Sequence, residues 1–200
     1  MRRGRGWRPT VVLLLVGPAT GAIVSACGSS AASSGLPPTA TVDVRAMLSL
    51  VGAGALPAYR AVYAVTGTGG AAGPLIAAQR PPLAAYTVGG TTVRVSADSG
   101  ASAVAGIVVS RPVLLGVLEH DAQLIEEGNP GGALATVARD RRPVAGQPST
   151  CLTVTGGVGR HVICTTQAGI PTEVVLSGTR AVLVSLSPTV TTGDVAPPGS

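Results

Sequence analysis

The chain has 200 residues, with 14 basic and 9 acidic side chains and a formal net charge of +5. All nine acids follow Cys27 and four arginines precede it, so the part beyond Cys27 carries ten arginines against nine acids. That balance removes the basic patch that a nucleic-acid-binding surface requires, and abundant Val, Leu, Ile and Ala with little charge argue against a disordered chain.

Residues 1–9 hold Arg2, Arg3, Arg5 and Arg8 and no acid; VVLLLV, Gly17-Pro18 and AIVSA then lead to Cys27. A charged start, a short apolar core and small residues before a cut describe a secretory signal. The apolar stretch falls short of the ~20 residues of a membrane-spanning helix. Val24-Ser25-Ala26-Cys27 resembles the lipobox of bacterial lipoproteins. The resemblance implies that residues 1–26 are removed and that the Cys27 thiol carries diacylglycerol. Stable anchoring takes about two acyl chains, which that group supplies. The alternative is an ordinary secretory cut after Ala26 that leaves Cys27 a free thiol. Residues 28–41 are uncharged and rich in Gly, Ser, Ala, Pro and Thr, so 27–41 read as a lipidated cysteine and flexible tether. The expected location is the extracytoplasmic face of the cell membrane, with the membrane as partner through the anchor.

Residues 42–189 are read as one folded α+β domain, long enough to bury a core. Beyond Trp7 the only aromatics are Tyr59, Tyr63 and Tyr86, so the core must be aliphatic. Asp43 is placed to cap a helix over roughly 44–52, with Val44, Met47, Leu48 and Val51 along one side. Strands are expected from Tyr59, where Tyr59, Ala61, Tyr63 and Val65 alternate with their neighbours, and over 74–79. Pro81-Pro82 reads as a break. LAAYTV, Gly89-Gly90 and TTVRVS read as a tight hairpin. Residues 103–109 are a further candidate strand. Pro112 opens a helical pattern that lasts to Gly128. Asp121 falls in the middle of its apolar face, which suggests two short helices with Asp121 capping the second. Another short helix is expected over about 131–139. The strands RPVAG, STCLTVT, RHVICTT, TEVVLS and RAVLVSLS follow, and 190–200 read as a disordered tail.

Gly157-Val158 as the two-residue centre of a hairpin places Cys151 directly opposite Cys164, and Gly at the first turn position suits a type II′ turn. Across antiparallel strands that pairing allows a disulfide, as expected of an even pair in an exported chain. A redox or metal role is the alternative, but CxxC spacing and zinc-type clusters are both missing.

Other constellations are weighed against plain structural roles. Gly67, Gly69 and Gly73 superficially resemble a dinucleotide loop, but Pro74 and a strand-like run follow where a helix should start. Glu119-His120-Asp121 reads as a solvated helix edge, with an arginine partner for Asp121, catalysis or metal binding as alternatives. His161 reads as a structural histidine. Arg139, Arg141 and Arg142 read as a solvated loop, with contact to an anionic lipid headgroup as the sharper option. No GxSxG, P-loop or HExxH run occurs, so neither an enzyme nor a cofactor is expected.

The order of features resembles LolA-like lipoproteins of the LppX–LprG type. The resemblance covers most of residues 43–189. It rests on YRAVYAVTG, the AQRPP break and PVAGQPSTCLTV…RHVICTTQAGIPTEVV, with most weight on Pro143 to Val175. It implies a mainly antiparallel, unclosed half-barrel with helices on its concave face and a lipid or lipid-linked ligand between. Tyr63, Val65, Ile107, Val109, Leu114, Val117 and Leu118 are the expected wall of that space. The other reading is a cell-envelope interaction module with a closed core and no ligand.

Overall fold

The computed structural model describes residues 35–52, 57–67, 73–96, 106–157 and 159–196. The strands are β1 (Tyr59–Gly67), β2 (Gly73–Arg80), β3 (Leu83–Val88), β4 (Thr91–Ser96), β5 (Leu134–Val144), β6 (Gln147–Gly156), β7 (Gly159–Thr165), β8 (Pro171–Leu176) and β9 (Thr179–Ser187). The helices are α1 (Ala40–Gly52), α2 (Arg111–Glu126) and α3 (Thr192–Val195). This is an α+β fold: all nine strands join one antiparallel sheet in the order β4-β3-β2-β1-β9-β8-β7-β6-β5, left unclosed with β4 and β5 at its edges. Two local meanders meet at the long-range β1–β9 pairing.

Strand alternation sets the faces. Tyr59, Ala61 and Tyr63 of β1 share a core with Leu152 and Val154 of β6, Ile163 of β7, Val174 of β8 and Leu183 of β9. Ala40, Val44, Met47 and Val51 of α1 and Leu114 and Leu118 of α2 close that core from above, at the three- and four-residue spacing of an apolar helix stripe. The opposite face is covered lightly, by Val144, Cys151, Val162 and Cys164 in one cluster and by Ala78, Ala85 and Val195 in another.

Several sequence expectations change. Helix α1 starts at Ala40, because that side chain extends the buried stripe one turn back from Val44; Asp43 therefore lies inside the first turn and is not its cap. Pro81-Pro82 does not break the sheet but turns β2 tightly into β3, with Arg80 opposite Leu83. The Gly89-Gly90 turn is as expected, both residues having positive φ (53° and 83°), as a type I′ hairpin requires. Residues 106–110 are turn and bend rather than strand, and 101–105 lie outside the described residues. The pattern from Pro112 is one continuous helix with Asp121 buried inside it, so Asp121 caps nothing.

The largest change is at 131–139. A short 3₁₀ turn at Pro130–Gly132 gives way directly to β5, which pairs with β6 along its length. The run is locally compatible with a helix, and the open edge of β6 decides for a strand. Its start is tightly built: a Cβ on Gly156 would overlap the Ala133 carbonyl, whose oxygen accepts the Gly157 N–H at 3.0 Å. At the other end, residues 192–195 of the expected tail form α3. There Asp194 accepts from Thr191 as in a capping box, and Val195 packs beside Ala78 and Ala85.

Candidate functional site

The expected wall residues cluster, but as core. Tyr63, Leu114 and Leu118 are 0% exposed, Val109 1% and Ile107 9%; Val65 and Val117 are half-buried and pack against the same cluster. The Tyr63 hydroxyl donates to the Pro171 carbonyl at 2.9 Å, so its one polar atom is satisfied without a ligand. Burial pushes the hydroxyls of Tyr59 and Tyr63 well above the usual tyrosine range, and that of Tyr86 up to about 12.

The Glu119-His120-Asp121 run is divided by helix geometry. Glu119 and His120 are exposed, while Asp121 follows Leu114 and Leu118 on the buried stripe. Its Oδ2 lies 2.7 Å from Nε2 of His161, and the two side chains are only 3% and 13% exposed. Neither an arginine partner nor a solvated edge describes Asp121; it clips α2 to β7. The sequence placed each partner on a buried face, since His161 shares the strand parity of buried Ile163 and Asp121 follows Leu118 at helical spacing, but it did not encode their meeting. Among the described residues, no three His, Cys, Asp or Glu side chains come together as metal ligands.

Cys151 and Cys164 are directly opposite in the β6–β7 register and are disulfide-bonded. They sit in the small cluster on the face away from α1 and α2. Val158 lies outside the described residues, and with it the expected turn type. Cys27 and the signal segment lie outside them as well.

An open cleft of about 750 Å³ lies between α1 and the far ends of β5 and β6. Ala46 and Leu50 of α1 form one wall; Arg139, Arg141, Arg142 and Pro143 of β5, Pro148, Ser149 and Thr150 of β6, and Gln167 after β7 form the rest. The arginine cluster is therefore on an edge strand and not on a loop. Alternation separates its members. Arg142 borders the cleft but turns its guanidinium to the other side, where it pairs with Glu173 at 3.2 Å and Asp140 at 3.5 Å. Arg139 faces α1, with Nε 3.2 Å from Asp43 Oδ1. Arg141 lines the cleft and has no ion pair among the described residues. None of the expected wall residues lines this cleft.

No protein-family model matches this sequence, and no curated protein matches it. Among solved structures, the crystal structure of MucB aligns with a TM-score of 0.45 and 14% identity, over 82% of this chain. The chain spans about two thirds, 65%, of the length of that MucB chain.

Proposed function

We propose that this protein is a lipid-anchored module on the extracytoplasmic face of the cell membrane, LolA-like in architecture, that binds at its surface cleft. The anchor is supported by the sequence Val24-Ser25-Ala26-Cys27 behind an arginine-rich, apolar leader. The unclosed antiparallel sheet with α1 and α2 on one face supports the LolA-like architecture. The observation that carries the binding mode is the occupied interior. Tyr63, Val109, Leu114 and Leu118 fill the space between helices and sheet, and a ligand entering there would have to displace them.

A hydrophobic or lipid-linked ligand held between sheet and helices is the second reading, favoured by the half-burial of Val65 and Val117 at the margin of the core. Neither reading includes catalysis.

Labelled fatty acid is expected on the wild-type protein and not on Cys27→Ser; label that persists on the variant would sink the anchor. Native mass spectrometry of the protein purified from its own host tests the binding mode. Interior occupancy predicts a co-purifying lipid retained by variants of the cleft, whereas the surface reading predicts its loss from them.

A further inference from the structure

The cleft beside α1 places cationic and apolar groups together. Arg139 and Arg141 are two residues apart on β5 and so leave the same face of the sheet. Thr150 stands directly across from Arg141, and Pro148 directly across from Pro143. On the helical side, Ala46 and Leu50 are one turn apart on α1. Asp43 engages Arg139 at Nε, and no other acid pairs with that guanidinium among the described residues. Charged residues on an edge strand are a general device against sheet-to-sheet pairing. That device accounts for charge on β5, but not for a cleft walled on its other side by Leu50 and lined by two prolines.

We propose that this cleft is a binding site for a phosphate-bearing amphiphile, with Arg139 and Arg141 holding the phosphate and Leu50 and Pro143 covering the adjoining apolar part. The proposal rests on the surface binding mode argued above. Guanidinium forks match phosphate oxygens in geometry as well as charge. Thr150 brings a hydroxyl and Gln167 an amide to the same lining, both able to hydrogen-bond phosphate or ester oxygens. The volume of about 750 Å³ lies within the usual range of small-ligand pockets, ~300–1,000 Å³. It suits a headgroup and the first part of its chains.

The test uses the full lipidated protein in uncharged-detergent micelles and three probes: dihexanoyl phosphatidic acid, uncharged dihexanoylglycerol and inorganic phosphate. Phosphatidic acid is expected to bind saturably, more weakly as salt rises, and to shift the Leu50 methyl resonances. Arg141→Ala should weaken it about tenfold or more, and Arg141→Lys should recover part of the loss. Leu50→Ser should weaken phosphatidic acid without changing phosphate. Arg141 is exposed, so its variants should fold, with circular dichroism as the control. Equal binding of dihexanoylglycerol would overturn the phosphate role, and equal binding of inorganic phosphate would overturn the amphiphile. Binding of none of the probes overturns the cleft inference alone. Binding that ignores both cleft substitutions and instead shifts Leu118 overturns the surface binding mode with it.

Discussion

At the scale of single residues, the Asp121–His161 pair makes the sharpest energetic statement. The carboxylate is the more deeply buried partner, at 3% exposure against 13%. Removing its partner should therefore cost more than removing the carboxylate itself. His161→Ala leaves an uncompensated buried charge and should lose about 3 kcal/mol or more. Asp121→Ala leaves an unpaired imidazole nitrogen and should lose about 1–3 kcal/mol. Replacing both by leucine should recover most of the loss, since neither buried group is then left unsatisfied. Chemical denaturation of the four proteins measures these differences; equal costs for the two alanine variants would show that the pair is not acting as a buried charge contact. Asp121 was visible in the sequence as an acid on an apolar stripe. What it faced was not, because His161 is 40 residues away.

Among the elements, the β6–β7 hairpin is the most fully specified locally. Gly156 pairs with Gly159, and each pair outward from the turn to Cys151–Cys164 follows the register that the turn residues imply. The disulfide spans a sequence separation of 13, and closing so short a loop contributes about 3 kcal/mol in the chain-entropy treatment. Cys151→Ala/Cys164→Ala should keep its far-ultraviolet spectrum, because the ladder continues on both sides through β5 and β8. Its denaturation midpoint should fall by an amount equivalent to roughly that energy. An unchanged midpoint would mean that the bridge constrains nothing the sheet does not already hold. β5 is the contrasting case. Its sequence carries an apolar pattern that suits either a helix or a strand, and only the free edge of β6 selects between them. The change is consequential, since on a helix Arg139 and Arg141 would not share a sheet face with Thr150.

At the scale of the whole molecule, the three tyrosines tie stability to pH. Burial raises all of them, Tyr86 to about 12. The unfolded chain ionises its tyrosines near pH ~10, so the folded state holds these protons more tightly. Their contribution is complete below pH ~10 and is lost as pH rises through the folded values. Tyrosinate absorbance should therefore appear above pH ~10 together with loss of the sheet signal, in one cooperative transition. Tyrosinate forming near pH 10 with the sheet intact would overturn the burial argument. The sequence by itself determined the strand-rich α+β class, the hairpins at Gly89-Gly90 and around the cysteines, and which face of β1 and α2 turns inward. Each of these follows from side-chain alternation, helical spacing or turn residues within a short stretch, where geometry is fixed by covalent neighbours. The tertiary structure decided that β5 is a strand, that Asp121 meets His161, that the end of the chain folds into α3, and that the expected ligand wall is packed core. It also decided where the cleft lies, because Leu50, Arg141, Thr150 and Gln167 come from four separate segments. No local pattern encodes their meeting, which depends on the order in which nine strands share one sheet.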